Sequence, residues 1–250
     1  MNKAIIKFLI STIPFLFGFM SNSYAQWINN WEAEAGLELP FQIGARAKAN
    51  FNDEFYATAG VGMAMDFLIG INTSMIGGVG IVGEKTAEVV ESAIADSFVL
   101  DFRGGWNLHS WNGLYLEAGY LFMMGGGKGT DVATLEGAFG QGHHSNPLAL
   151  SQNSILSLES SVHALSFHAG YRWEISENLI LSSDLGLIKP FFSSTTLNLD
   201  QVVNNSLYGN LATANQVAAA LKSEVEKSME DVFLSELFIP TFSVWMSYLF

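Results

Sequence analysis

Charged side chains of both signs recur at alternate positions of segments that are otherwise apolar. The set comprises the basic residues Arg46, Lys48, Arg103 and Arg172 and the acidic residues Asp66, Asp101, Glu117, Glu174 and Asp184. Successive side chains of a β-strand point to opposite faces, so this spacing places the charges of each segment on one face. If the segments close into a ring, these charges face the lumen. There they either line an ion-selective passage or pair into a salt-bridge plug, and we predict the plug because unpaired buried charge is costly.

The tetrapeptide His143-His144-Ser145-Asn146 is the one motif with catalytic character. It resembles the His-x-Ser-Asn motif of outer-membrane lipid A deacylases, and this resemblance implies His143 as the base and Ser145 as the nucleophile. That family places the motif on a barrel strand, with an acidic residue downstream. Here the motif follows the glycine-rich stretch Gly137–Gly142, and the nearest later acid is Glu159. We therefore predict a polar loop and no catalytic residue, with a deacylase-like hydrolase as the second alternative function.

Two further features have a superficial chemical character. His163 and His168 are five positions apart, so a strand points them to opposite faces and they cannot share a metal ion. The stretch Gly125–Thr130 is glycine-rich but lacks the spacing of a phosphate-binding loop. The sequence predicts no cofactor and no metal site.

The elements that must position these residues are most evident in the final segment, Phe238–Phe250, which alternates with a period of two. One face carries an apolar row, namely Phe242, Val244, Met246, Tyr248 and Phe250. This row resembles the final strand of Gram-negative outer-membrane β-barrel proteins, which typically ends in Phe after apolar residues at alternate positions. The resemblance implies that the row faces lipid and serves as the outer-membrane C-terminal signal, with outer-membrane lipids and the barrel assembly machinery as partners.

Seven segments show clear alternation. They are 31–51, 55–68, 98–108, 114–124, 163–174, 179–192 and 238–250. Bacterial single-chain barrels have an even number of strands. We therefore predict an all-β fold, an antiparallel transmembrane β-barrel of about eight strands, whose eighth strand is the segment 26–37. The alternative is a seven-stranded subunit that contributes part of a shared wall, as in oligomeric porin-like proteins that enclose a central lipid or solvent chamber.

Three long inserts separate the strand pairs, at 69–97, 125–161 and 193–237. Residues 84–95 and 213–233 are predicted as amphipathic helices, because apolar residues such as Val89, Ile94, Val225 and Met229 cluster on one stripe. Such stripes must be buried. They pack either on the mouth of the barrel or against lipid and neighbouring copies in a homo-oligomer.

The first 25 residues have the character of an export signal: a basic start, an apolar run to Met20 and a small residue, Ala25, at the expected cleavage position. We predict a cleaved signal peptide at 1–25 and one outer-membrane barrel domain at 26–250. Of the 250 residues, 49% are hydrophobic and only 14% are charged, fewer than the usual quarter of a soluble chain. The net charge of -13 disfavours nucleic acid as a partner. The predicted function is therefore a non-enzymatic outer-membrane barrel, structural or porin-like.

Overall fold

The computed structural model of the chain describes residues 28–64, 84–108, 113–131, 155–198, 222–223, 225–236 and 238–250. Eight antiparallel strands pair in chain order and form a closed barrel, because the last strand pairs with the first. They are β1 (Asn30–Leu39), β2 (Gln42–Asn50), β3 (Phe55–Met63), β4 (Phe98–Asn107), β5 (Leu114–Asp131), β6 (Ile155–Ser176), β7 (Leu179–Asn198) and β8 (Ile239–Leu249). The predicted all-β antiparallel barrel of eight strands is confirmed, whereas the predicted leader at 1–25 lies outside the described residues.

The segment 31–51 forms two strands, although its alternation presents it as one. A turn through Pro40 and Phe41 divides it, and the backbone N–H of Phe41 donates to the carbonyl of Glu38 at 2.7 Å. Glu38 pairs with Gln42 across this turn, and both side chains point inward. An odd number of residues separates Glu38 from Gln42, so the even-numbered residues point inward in both β1 and β2. The alternation of apolar and polar residues therefore continues through the turn without interruption. Phe41 leaves the outward row of its odd-numbered neighbours and is fully buried.

Three strands extend further than predicted. β5 continues past Met124 to Asp131, β6 begins at Ile155 instead of His163, and β7 continues past Phe192 to Asn198. The added pairs join mostly small or polar residues, for example Gly129 with Ser157, Ser160 with Thr195, and Ser157 with Asn198. These stretches lack an apolar row on the outward face, and their inward apolar residues, such as Leu158 and Leu197, are too few to show a period of two, so the predicted inserts at 125–161 and 193–237 are correspondingly shorter.

The two ends of the barrel differ. The β2–β3, β4–β5 and β6–β7 connections are short and lie at the end where β1 begins and β8 finishes, which we call the turn side. The β3–β4, β5–β6 and β7–β8 connections are long and lie at the opposite end, the loop side. Each strand therefore has a turn-side half and a loop-side half, and the two halves have different interiors.

The loop-side half of the interior is filled by an apolar core. Helix α1 (Glu84–Ile94), close to the predicted helix, packs against β5 and β6 and buries Val89, Val90, Ala93 and Ile94. A second helical segment covers 222–223 and 225–231 and ends in a π-helical turn, Val232–Glu236. Its Val225, Met229 and Phe233 are buried in the same core, with inward side chains of the barrel such as Leu121, Met123, Leu158, Val162 and Ile188. The described parts of both helices thus pack on the barrel mouth.

Candidate functional site

The turn-side half of the interior contains the charged residues. Six of the predicted residues are buried there, namely Arg46, Lys48, Asp101, Arg103, Glu117 and Asp184. Arg172 lies at the turn-side rim, with its side chain 14% exposed. Glu174 is exposed near the β6–β7 turn and is not part of the interior cluster, because β6 has passed the rim of the barrel at that point. Asp66 lies outside the described residues.

Arg103 lies at the centre of this group. Its Nη2 is 2.6 Å from Oε2 of Glu38 and 2.9 Å from Oδ2 of Asp101, and its Nη1 is 3.3 Å from Oε2 of Glu117. Its Nε also donates to Oδ1 of Asp101 at 2.9 Å. The guanidinium offers five donors in a planar fork. By dividing them among three carboxylates, Arg103 joins β1, β4 and β5 across the lumen.

Arg46 makes a second set of bridges. Its Nη2 is 2.7 Å from Oδ2 of Asp101 and 3.1 Å from Oε2 of Glu38. Its Cζ lies 3.6 Å from the centroid of the Trp245 ring, a cation–π distance. Glu38 and Asp101 are thereby each shared by two guanidinium groups, and this sharing is why carboxylates that are almost fully buried are tolerated.

The rim of the barrel adds further pairs. Nη2 of Arg172 donates to both carboxylate oxygens of Glu32, at 2.8 and 2.7 Å, and the amide of Asn50 donates to Oε1 of Glu32 at 2.8 Å. The hydroxyl of Ser247 donates to Oε1 of Glu34 at 3.1 Å. Among the described residues, the interior therefore sets six carboxylates against four basic side chains. We call these ten residues the charged layer: Glu32, Glu34, Glu38, Asp101, Glu117, Asp184, Arg46, Lys48, Arg103 and Arg172.

Four large rings line the wall around the charged layer, and each lies directly across from a glycine on the neighbouring strand. The pairs are Tyr56 with Gly105, Tyr115 with Gly170, His168 with Gly186, and Trp245 with Gly36. A Cβ atom at position 105 would lie 2.0 Å from the Tyr56 ring, so only glycine fits there. The glycines let the rings lie against the wall and leave the centre of the lumen to the charges.

The same rings hold the outer members of the charged layer. The hydroxyl of Tyr56 donates to Oε1 of Glu117 at 2.9 Å, and the hydroxyl of Tyr115 donates to Oδ2 of Asp184 at 2.8 Å. The Nζ of Lys48 lies 3.6 Å from the centroid of the Tyr56 ring. Buried tyrosines need a partner for their hydroxyl, and here the partner is a carboxylate of the charged layer.

One pair has a geometry that hydrolases use. Nδ1 of His168 is 2.8 Å from Oδ1 of Asp184, as in a base held by its orienting acid. However, Nε2 of His168 faces Oε1 of Glu38 at 3.6 Å instead of a nucleophile, and both side chains are 0% exposed. The pair therefore links β6, β7 and β1 and offers no access to a substrate. His143 and Ser145, the residues of the deacylase alternative, lie outside the described residues.

Sequence reasoning missed about half of this network. Glu32, Glu34 and Glu38 lie on β1 and were absent from the predicted set of lumen charges, although they share the inward row of Arg46 and Lys48. Tyr56, Tyr115 and Trp245, which contact charged side chains of the lumen, were likewise absent from the predicted set. The alternation along each strand could have identified them. Each of these residues either lies on the same inward-facing row as a predicted charge or pairs with a glycine on the neighbouring strand.

Comparison with known proteins finds similarity to solved structures only, and this similarity concerns the barrel fold. No family model matches the chain, and no curated protein matches it. Three similar solved structures are outer-membrane proteins. The N-terminal β-barrel domain of Pseudomonas aeruginosa OprF has a TM-score of 0.43 and 10% identity, over 90% of this chain and 100% of that one. Acinetobacter baumannii CarO2 has a TM-score of 0.36 and 12% identity, over 88% of this chain and 97% of that one. A major outer membrane protein from Thermus thermophilus has a TM-score of 0.40 and 14% identity, over 88% of this chain and 98% of that one.

None of the described helices is long and apolar enough to cross a membrane. No group of three or more His, Asp or Glu side chains in the described ranges is placed to hold a metal ion. The interactions that the described interior does show are the ion pairs and hydrogen bonds of the charged layer.

Proposed function

We propose that this protein is a non-enzymatic, structural β-barrel of the outer membrane whose interior is closed. The observation that carries the proposal is the filling of the lumen by two barriers in series. The charged layer crosses the turn-side half, and the apolar core of α1 and the second helical segment fills the loop-side half. An eight-stranded barrel has an interior that side chains just fill, so these two barriers leave no aqueous path through the described part.

The outer wall supports the membrane address. Large apolar side chains are about half exposed on it, for example Phe102, Phe167, Leu187 and Met246. A hollow of about 840 Å³ on this wall is floored by Gly104 and Ala118 and flanked by apolar side chains. Exposed apolar surface on this scale is unfavourable in water, and it matches the hydrocarbon-facing band of a transmembrane barrel.

Two belts of aromatic residues bound this band. The turn-side belt includes Phe55, Trp106, Trp173, Tyr248 and Phe250, and the loop-side belt includes Tyr120, Phe122, Phe191 and Phe192 around His163. Ten positions separate Trp173 from His163 on β6. At about 3.3 Å per residue and a strand tilt of about 40°, these positions span about 25 Å along the barrel axis, the height of the apolar band in outer-membrane barrels.

The same rule gives an orientation. Outer-membrane barrels have short periplasmic turns and longer extracellular loops. The turn side then faces the periplasm and the loop side faces the cell exterior. Because β1 pairs with β8 within one chain, the wall is complete without a neighbour, and the alternative of a composite wall loses its premise. Association of complete barrels stays a separate prediction.

Planar-bilayer recording tests the closed interior. Purified protein that has been refolded into lipid should show no steady unitary conductance above the bilayer background, because both barriers are intact. Refolding is verified beforehand by the heat-dependent shift in electrophoretic mobility that intact barrels show. A uniform ohmic conductance in correctly folded samples would establish an open pore and disprove the closed-interior proposal.

A further inference from the structure

The hollow on the outer wall contains a glycine that faces open space. A Cβ atom at Gly104 would meet no atom within 4 Å, whereas at Gly36 or Gly105 it would lie less than 3 Å from a neighbouring atom. Gly104 is exposed and lies on the outward row of β4, between Phe102 and Trp106. The packing of the barrel itself therefore does not require a glycine at this position.

Lipid alone gives no reason for this glycine. Acyl chains are fluid and as apolar as leucine, so they would pack against a large side chain as well, and a glycine within a strand forgoes that packing. Protein walls that meet in a membrane are rigid, and small residues let their backbones approach closely, as they do between transmembrane helices. The residue type at position 104 therefore favours a protein wall over lipid as the occupant of the hollow.

A ridge borders the hollow on its β6–β7 side. Its members are Phe167, Leu185 and Leu187, which are 57%, 69% and 51% exposed. Leu185 is the most exposed large apolar residue in the described part of the chain. The same face of the barrel thus presents a projection beside a recess, as a surface that binds a copy of itself must.

The ridge and the hollow lie at about the same height in the wall. A row of paired residues that leaves β7 at Leu179 runs once around the barrel and returns to β7 at Lys189, ten positions nearer the loop side. Ten positions over eight strands amount to between two and three positions for every two strands. The row from Ala118 reaches Leu187 two strands later, so Leu185, two positions nearer the turn side, lies level with Ala118.

The membrane limits how two copies can meet. Both have the loop side outward, so a two-fold axis that relates them must run along the membrane normal, and each residue then faces residues at its own height. With the axis between the hollow and the ridge, the β6–β7 ridge of each copy lies over the β4–β5 hollow of the other. Two-fold pairs of this kind are the commonest protein assemblies.

We propose that two copies of this chain associate side by side in the membrane, with the ridge of each packed into the hollow of the other. This inference rests on the proposed membrane address, which gives both copies the same orientation. It differs from association through the inserts, because the contact lies on the outer wall of the strands. The open space at Gly104 is then filled by a side chain of the second copy.

Energy transfer between labelled copies measures this association. The chain contains no cysteine, so Ser176→Cys at the exposed end of β6 gives one labelling site per copy. Donor-labelled and acceptor-labelled proteins are refolded together into lipid vesicles, and the transfer is measured as the ratio of protein to lipid is varied. The wild type should associate. At a fixed ratio the transfer should rise linearly with the fraction of acceptor, as it does for a pair.

Two substitutions test the packing of ridge into hollow. Gly104→Leu fills the hollow without a clash inside its own barrel, and it should weaken association about tenfold because the overpacking occurs twice in each pair. Leu185→Ala shortens the ridge and should weaken association several-fold. In the double variant the shortened ridge leaves room for the new leucine, so part of the affinity should return.

Matched controls isolate the surface. Ala45→Leu makes a similar gain in size at an exposed position of β2, four strands from β6, and Met246→Ala shortens an exposed side chain of β8, so neither should change the association. Association that neither Gly104→Leu nor Leu185→Ala weakens overturns the proposed surface. A wild type that shows the heat-dependent shift in vesicles but stays monomeric overturns the pairing alone and leaves lipid in the hollow. A wild type that does not enter the vesicles overturns the membrane address and the pairing with it.

Discussion

At the scale of single residues, the charged layer is stabilised because its central carboxylates are each shared between two arginines. Arg103 and Arg46 each contact the carboxylates of Glu38 and Asp101, so neither of these two acids depends on a single base. Burial removes the hydration of every one of these charges, and the remaining stabilisation depends on complete pairing. Loss of one guanidinium then leaves several carboxylates short of a partner.

Replacement of Arg103 by methionine should strongly destabilise the barrel. The variant leaves Glu38, Asp101 and Glu117 with fewer donors in a buried site, and removal of one partner of a buried pair costs about 3–5 kcal/mol. The measurement is the free energy of unfolding by urea in lipid vesicles, followed by tryptophan fluorescence.

Arg172→Met is the matched control for that measurement. Its guanidinium contacts Glu32 at the rim, where water reaches both the base and the acid after substitution, so we expect a smaller loss. Equal losses in the two variants would show that position within the lumen does not determine the energy of these pairs.

At the scale of elements, helix α1 fills part of the loop-side half of the barrel interior. Its buried stripe, Val89, Val90, Ala93 and Ile94, faces β5 and β6, and the N–H of Gly126 donates to the carbonyl of Ala95 just after the helix. The helix lies in series with the charged layer, so its release removes one barrier and leaves the other.

Substitution of Ile94 by aspartate should release α1 without opening a pore. An unpaired carboxylate in the apolar core is unfavourable, so we expect faster cleavage of the β3–β4 connection by protease added to sealed vesicles. Conductance should stay at the bilayer background because the charged layer is unchanged.

Asp96→Gly serves as the control for this substitution. Asp96 has a φ of 54°, a conformation that glycine adopts readily, so the variant should resist protease as well as the wild type does. A rise in conductance in the Ile94 variant would mean that the apolar core alone closes the lumen.

At the scale of the whole molecule, closure depends on the pairing of β1 with β8. The strand β8 presents Phe242, Met246 and Tyr248 outward and buries Thr241, Ser243 and Trp245. A barrel leaves no strand edge unpaired, which is the condition for spanning hydrocarbon. The same strand thus completes the ring and contributes to the turn-side belt.

Removal of the Phe250 side chain separates folding from delivery. Phe250 follows the end of β8, and its backbone N–H donates to the carbonyl of Trp31 at 3.0 Å, a bond that Phe250→Ala keeps, so refolding in detergent should be unchanged. In cells we expect a several-fold fall in the heat-modifiable protein of the outer-membrane fraction, because the proposed signal for the assembly machinery has lost its last aromatic. Phe238→Ala, another exposed aromatic but on the loop side, should reach the membrane normally. Equal delivery of both variants would exclude Phe250 from that signal.

The sequence by itself determined most of the strands, because a barrel wall with an apolar outer face and polar groups inside imposes a period of two. It also predicted α1 and the second helical segment, whose apolar stripes repeat at helical spacing. It placed Arg46, Lys48, Asp101, Arg103, Glu117 and Asp184 on the rows that the structure turns inward.

Only the tertiary structure determined which charges meet. The turn at Pro40 keeps the same alternate residues pointing inward on both sides, so the alternation does not mark it, and the predicted eighth strand at 26–37 ended two residues before the end of β1 at Leu39. The contacts of Arg103 with three carboxylates depend on the diameter and register of the closed ring, and both are set by the pairing of all eight strands. The extensions of β5, β6 and β7 likewise depend on pairing with a neighbouring strand. Their outward residues do not form an apolar row, so the sequence does not show them as strands.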